Sequence, residues 1–379
     1  MTEQPLWTPS DTRKANTNLT RFMSFVSDNG TAVSTFDELH QFSLEHPERF
    51  WELYWDFAGI KASTRGPRIV ADGDKMPGAR FFPDARLNFA ENLLVRSDDA
   101  MAMIFRGEDK VRRQWTWRET TDMVSRIQQG LGELGIAPGD RVGAVVANMP
   151  ETLMCCLGVA SLGGVWSSCS PDFGEQGILD RFGQIEPKVL IVCDGYYYNG
   201  KTFSIAGKVE KVLAQLPSVE QVIVIDYTGE ADAVAARLDR AKSLDQFTAG
   251  HQPAALDFVQ LPFDHPLYIL FSSGTTGVPK CIVHCAGGAL LKIMTEQQLH
   301  VDLKPDDRLF YFTTCGWMMW NWLITGLSSG TTLLLYDGSP FHPDERAMFD
   351  LAVEEDMTIF GTSAKYIDAL KKTGWRPCE

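Results

Sequence analysis

The sequence predicts an α/β protein of open, mostly parallel sheets flanked by helices. Two observations predict it. From about residue 100 onward, short apolar runs alternate with stretches of helical periodicity. One of those runs, 268–271, opens into a loop of hydroxyls, glycines and a lysine. Loops of that kind carry ligands at the carboxyl ends of parallel strands. Composition agrees: of 379 residues, 44% are hydrophobic and 22% charged, which suits a folded globular chain of two or three domains.

The first hundred residues read differently, as short helical pieces between polar turns. Residues 46–60 place Phe50, Trp51, Tyr54, Trp55 and Phe57 at helical spacing, which predicts a core-facing helix. Residues 66–78 are rich in Gly, Pro and Asp and read as an irregular connector. Strands are expected at 101–105 and 113–115. Thr116 and Glu119 form a capping-box pattern that starts a helix carrying Met123, Ile127, Leu131 and Leu134. Residues 138–140 break the chain. A strand follows at 141–147, and Pro150 suits the first turn of the next helix. Further strands are expected at 165–168, 189–193, 222–225, 268–271, 281–284, 309–312 and 332–336, with helices at 175–185 and near 290–299. Residues 229–252 read as a charged, Ala-rich surface insertion of helix and loop.

Lys plus Arg number 35 and Asp plus Glu 49, a net charge of -14. That excludes a general nucleic-acid or membrane-surface binder, which needs a basic face. No apolar run reaches the roughly 18 residues of a membrane span, and the amino terminus has no leader pattern, so a cytoplasmic protein is expected. Eight cysteines, at 155, 156, 169, 193, 281, 285, 315 and 378, form no CxxC pair, and the seven histidines complete no zinc pattern. No metal ligand is assigned, and the cysteines are expected to be mostly buried free thiols.

The most informative segment is the loop after residue 271. Ser272, Ser273, Thr275 and Thr276 supply hydroxyls, Gly274 and Gly277 let the backbone approach a ligand, and Lys280 adds positive charge. This is the composition of a phosphate cradle. It is not a Walker A loop, because Lys280 lies between Pro279 and Cys281.

The string from Ser272 to Lys280 resembles the signature phosphate loop of the acyl-adenylate-forming family. The resemblance runs from about residue 39 to 377. Residues 50–57 and 86–94 are similar to the N-terminal cap of the family's acetyl-CoA synthetase branch. Residues 167–174, 315–322 and 360–366 resemble acetoacetate-activating members of that branch. The resemblance implies two regions, a cap over 1–97 and an AMP-binding large domain over 98–379. It also implies ATP-dependent ligation of acetoacetate to coenzyme A through an acyl-AMP, releasing pyrophosphate, with Mg2+ on the phosphates. Acetate or propionate as the acid, or a non-catalytic nucleotide- or partner-binding module, stay open beside it.

By the same resemblance, Lys280, Thr275 and Thr276 act on the β- and γ-phosphates. Ser272, Ser273, Gly274 and Gly277 cradle them. Coenzyme A docks on the 168–174 loop with Phe173 and Gly174, and Lys201 is a candidate for its terminal phosphate, an ordinary solvated lysine being the alternative. Trp317, Met318, Met319, Trp320 and Asn321 match where the family lines its acyl pocket, and Thr362 and Ser363 complete the substrate side. Trp317 is assigned to the pocket and Trp322 to core packing. Asn321 and Trp320 are the candidates for a hydrogen bond to a keto oxygen. The family's Thr-Glu motif, ribose-binding aspartate, hinge and small C-terminal domain have no match here, so the chain is expected to be the first part of a longer, catalytically complete enzyme. Oligomeric state is not legible.

Overall fold

The computed structural model describes residues 7–272 and 277–376. Two larger sheets contain twelve strands, numbered here in chain order. They are β1 Met101–Gly107, β2 Val111–Thr116, β3 Arg141–Val145, β4 Val165–Cys169, β5 Val189–Cys193, β6 Gln221–Ile225, β7 Ala241–Ser243, β8 Pro266–Phe271, β9 Cys281–Cys285, β10 Arg308–Tyr311, β11 Thr332–Asp337 and β12 Ile359–Gly361.

A seven-stranded sheet runs in the order β7-β6-β5-β3-β4-β8-β9, parallel throughout except for the antiparallel edge pair β8/β9. Its strand order reverses between β3 and β5, which opens a crevice at their carboxyl ends. A five-stranded sheet runs β12-β10-β11-β1-β2, parallel but for the β1/β2 hairpin. The mostly parallel α/β expectation holds.

Helix Pro150–Ser161 is buried along its whole length. It packs on β4 of one sheet and β1 of the other, so it is apolar all round rather than on one stripe. Gly158 makes its close approach possible: a Cβ there would sit 2.7 Å from Ile127 of helix Trp117–Glu133. That second helix starts at the expected capping box, with both of its hydrogen bonds formed.

The predicted N-terminal helix spans Pro47–Ala58 and ends on Gly59 at φ +66. It packs Phe50 and Tyr54 edge-on against Phe22, and Trp55 against Phe82. The Tyr54 hydroxyl reaches Gln298 at 3.0 Å, tying these helices to the large sheet's cover.

Two expectations need correction. The 229–252 segment is not only surface helix and loop: Ala241–Ser243 pairs in parallel with β6 as the sheet's edge strand. The 66–78 connector contains Val70–Ala71, paired with Arg80–Phe81. The expectation of mostly buried free thiols holds for the described cysteines, with two exceptions. Cys155, Cys156, Cys169, Cys193 and Cys315 are buried, but Cys281 is exposed on edge strand β9 and Cys285 is half-buried. Cys378 lies outside the described residues.

Candidate functional site

The carboxyl ends of both sheets converge on one cavity of about 440 Å³. The loop after β4 contributes Ser170, Pro171 and Asp172. The hairpin after β5, strands Gly195–Tyr198 and Lys201–Ser204, contributes Tyr196, Tyr197 and Tyr198. From the five-stranded sheet come Asp337 at the end of β11, Phe341 beyond it, and Ser363 and Tyr366 beyond β12.

Asp337 is a half-buried acid of this cavity. Burial pushes its carboxyl up to about 7, against the Tyr227 hydroxyl and the Asn148 backbone N–H, which favour the ionised form. Tyr227 Oη donates to Asp337 Oδ2 at 3.0 Å. Burial in turn raises the Tyr227 phenol far above its ordinary value. Nothing in the local sequence marks Asp337. A lone aspartate at a strand end was the available signal.

Three of the segments singled out from sequence meet here. Ser168 Oγ donates to the Cys315 carbonyl at 2.7 Å and accepts from Trp166 Nε1 at 3.0 Å. A Cβ on Gly316 would lie 3.6 Å from Cys169 Cα and 3.8 Å from Phe173, so the 315–317 turn rests on the 168–174 loop. Ser363 caps helix Ala364–Thr373 by accepting from the Tyr366 N–H, and it lines the cavity. Thr362 Oγ1 is buried and has no hydrogen-bond partner among the described residues.

The phosphate-loop segment leaves the same end of the sheet, one strand further along. Ser167 Oγ donates to the Ile269 carbonyl of β8 at 2.8 Å. The loop is closed at its base, where the Ser272 N–H donates to the Lys280 carbonyl at 3.0 Å. Gln184 Nε2 tethers it through the Pro279 carbonyl at 2.8 Å. Gly277 has φ +93, a conformation that favours glycine, and Lys280 is exposed. Ser273, Gly274, Thr275 and Thr276 lie outside the described residues. Arg181, which no sequence pattern singles out, links this loop to the 168–174 loop. Its guanidinium lies 4.7 Å from the Phe173 ring and 5.7 Å from that of Phe271. Gly174 is the N-cap of the helix that carries it, Glu175–Ile185.

The tryptophan segment divides differently from the expectation. Helix Met318–Thr325 is apolar on nearly every side, so spacing alone does not orient it. Met318, Met319 and Trp322 face a second cavity of about 440 Å³, with Lys292, Glu296 and His300 opposite. Trp322 also meets Tyr311 of β10 edge-on at 5.8 Å, so it both packs on the sheet and lines the cavity. Trp317, assigned to the pocket, is 66% exposed at the helix N-cap.

Trp320 is fully buried against Trp166, and its indole N–H donates to Asn148 Oδ1 at 3.0 Å. A keto oxygen therefore cannot take that donor without breaking a buried bond. Asn321 is buried too, and among the described residues neither its Oδ1 nor its Nδ2 has a hydrogen-bond partner. Lys201 is exposed on the outer strand of the tyrosine hairpin.

No helix among the described residues is long and apolar enough to cross a membrane. Comparison with known proteins gives consistent matches. The family profile "AMP-binding enzyme" matches residues 89–376, and "Acetyl-coenzyme A synthetase N-terminus" matches residues 36–93. The chain is 51% identical over 376 residues to the acetoacetyl-coenzyme A synthetase of Rhizobium meliloti (strain 1021), covering 99% of this chain and 57% of that protein. It is 40% identical over 393 residues to malonamoyl-CoA synthetase vrtB of Penicillium aethiopicum, covering 98% of this chain and 54% of that one. The solved acetoacetyl-CoA synthetase from Streptomyces lividans superposes with a TM-score of 0.93 at 39% identity, over 99% of this chain and 58% of that chain. The chain thus spans little more than half the length of the relatives it matches.

Proposed function

The chain belongs to the AMP-binding enzyme family, and from that premise we propose that its protein joins acetoacetate to coenzyme A with ATP. The reaction runs through acetoacetyl-AMP and releases pyrophosphate, then AMP. The observation that carries this reading is the 51% identity, along 99% of this chain, to a protein named acetoacetyl-coenzyme A synthetase.

In this reading the 272–280 loop holds the β- and γ-phosphates, and Lys280 follows the charge that develops on departing pyrophosphate. Ser273, Gly274, Thr275 and Thr276 belong to that loop by sequence. Magnesium takes oxygen ligands and commonly relies on substrate phosphates for several of them. Among the described residues, the one cluster of three possible metal-ligating side chains is Glu108, Asp109 and His342. It lies on other loops, so the described residues place no such cluster at the phosphate loop. The cavity between the two sheets, walled by the 170–172 loop and the tyrosine hairpin, takes coenzyme A. Phe173 and Gly174 shape the adjoining loop, and Lys201 stands on the hairpin's outer strand. Thr362 and Ser363 border the substrate. Residues 1–97 act as a cap and 98–379 as the large domain.

Met318, Met319 and Trp322 form the wall that limits acid size, and Trp317 closes its open side. Asn321 supplies the hydrogen bond to the 3-carbonyl of the acid. Its amide is already desolvated, so a bound carbonyl would satisfy a group that otherwise costs about 1–3 kcal/mol. The relationship to a malonamoyl-CoA synthetase favours a second, neighbouring reading, since a malonamoyl group also has a carbonyl at that position.

The test is acid-dependent exchange of pyrophosphate into ATP by the full-length protein, with acetoacetate, malonamate, butyrate and acetate. Acetoacetate should lead. Asn321→Leu should raise KM for acetoacetate about tenfold or more, a loss of roughly 1–3 kcal/mol, and leave butyrate nearly unchanged. Equal use of acetate and acetoacetate would remove the acetoacetate reading. A malonamate preference would move it to the neighbouring one.

A further inference from the structure

The turn between β1 and β2 carries Glu108 at φ +46, a left-handed conformation that costs a non-glycine residue energy. What holds it there is its own carboxylate, whose side chain is fully buried. Oε1 accepts from the N–H groups of Asn199 at 2.6 Å and Ser339 at 2.8 Å, and Oε2 accepts from Gly200 at 2.8 Å. Asn199 and Gly200 form the tip of the tyrosine hairpin. Ser339 starts the loop beyond β11. Gly338, at φ +121, sits so close that a Cβ would fall 2.2 Å from Glu108 Cγ. Three loops are therefore built tightly around one carboxylate.

His342 completes the arrangement from the other side. Its ring packs on Gly200, where a Cβ would lie 2.7 Å from Cε1. Its Nε2 lies 3.9 Å from Glu108 Oε2 and 3.5 Å from Asp109 Oδ1, and the three residues' donor atoms all fall within 4.8 Å of one another. Nε2 is itself buried and makes no hydrogen bond among the described residues. Buried nitrogens rarely go without a partner. One that faces two carboxylates at these distances has the setting of a metal ligand.

We propose that Glu108, Asp109 and His342 bind a first-row divalent cation, with Zn2+ the best match, which fastens the tyrosine hairpin and the 339–342 loop to the five-stranded sheet. Ligands about 2.0–2.2 Å from a tetrahedral ion stand roughly 3.3–3.6 Å apart. The two distances from His342 Nε2 need a contraction of about 0.6 Å at most, and the acids' oxygens, within 4.8 Å of each other, close by up to about 1.5 Å as the half-exposed Asp109 side chain turns in. One imidazole and two carboxylates form a set that zinc accepts, leaving a fourth position for water. The backbone N–H groups on Glu108 act as the outer-shell donors that orient a ligating carboxylate. Lys110 works against the ion. Its Nζ lies 2.9 Å from Asp109 Oδ1, and its hydrogen bond holds the Asp109 carboxyl below its ordinary range. The lysine is thus a built-in competitor for one ligand. No sequence pattern signals this site, because His342 is more than two hundred positions from the two acids.

The experiment is titration of the dialysed full-length protein with CoCl2 and ZnCl2, followed by calorimetry and visible absorption. One equivalent should bind, reversibly by chelator. The cobalt form should show visible d–d bands without a sulfur-to-metal charge-transfer band, which separates this site from Cys281 and Cys285. His342→Gln should weaken binding by more than the roughly tenfold to hundredfold that loss of an outer-shell partner costs. Lys110→Ala should strengthen it. Should His342→Gln fail to fold, Asp109→Asn, at a half-exposed turn position, provides the same test. Absence of saturable binding, a sulfur band, or binding that these ligand substitutions leave intact would overturn the proposal.

Discussion

Asp337 shows how burial gives a residue a property that its neighbours in sequence do not announce. In an unfolded chain it ionises near 4, whereas in the fold burial pushes it up to about 7. The folded state therefore binds one more proton than the unfolded state between about pH 4 and 7. Stability from this group is fully present below pH 4 and is lost as pH rises through 7. Asp337→Asn keeps an acceptor for Tyr227 and cannot ionise. Relative to the natural chain it should gain stability on the order of 3 kcal/mol between about pH 4.5 and 8, because each tenfold change in proton affinity is worth about 1.4 kcal/mol. Urea denaturation of both proteins at the two pH values checks this, and parallel pH profiles would contradict it. The tryptophans teach a related lesson. Residues 315–322 were singled out from the sequence, but the helix Met318–Thr325 that they enter is apolar nearly all round. Which tryptophan bonds its N–H inside and which stands exposed depends on partners such as Asn148, far away in sequence.

At the scale of elements, local chemistry was the better guide. Helix Trp117–Glu133 begins where Thr116 and Glu119 indicate. Thr116 N–H and Oγ1 both donate to Glu119 Oε2, at 2.8 and 2.9 Å, and the Glu119 N–H donates back to Thr116 Oγ1 at 3.2 Å. Helix Glu175–Ile185 and strand Val189–Cys193 match their expected bounds because turn residues flank clean periodic runs. Edge strand Ala241–Ser243 was missed for an equally physical reason. Its three residues have little β-propensity, and only the neighbouring strand β6 makes them a strand. Thr116→Ala removes both uses of the hydroxyl but not the backbone bond to Glu119. It should cost about 1 kcal/mol, read as a lower urea midpoint with an unchanged slope. A loss within error of zero would mean that Trp117 and the rest of the buried face position this helix without its cap.

At the scale of the whole molecule, the order of the strands, and so the meeting of the two sheets at one cavity, could not be read from periodicity. Alternation in the five-stranded sheet then divides the apolar interior. Met103, Phe105, Leu309, Leu333 and Leu335 point into a large cluster shared with the seven-stranded sheet and the N-terminal helices. Their strand neighbours Ile104, Phe310, Leu334 and Tyr336 point the other way, into a small cluster closed by Met348, Leu351, Tyr366 and Leu370. Helices Ala347–Glu354 and Ala364–Thr373 bury only two residues each, whereas Pro150–Ser161 is buried throughout. Free energy of local opening follows buried apolar contact, so the two outer helices belong to the low-stability end of the molecule. Native-state hydrogen exchange should show their amides opening well before those of Pro150–Ser161, by a sub-global route that urea barely affects. Phe310 is the junction residue, since its ring meets that of Phe360 at 5.4 Å, tilted by 36°, from beneath this layer. Phe310→Leu should therefore speed exchange in the two outer helices much more than in Pro150–Ser161. Equal protection across all three helices, or equal acceleration by Phe310→Leu, would mean that the small cluster unfolds only with the large one.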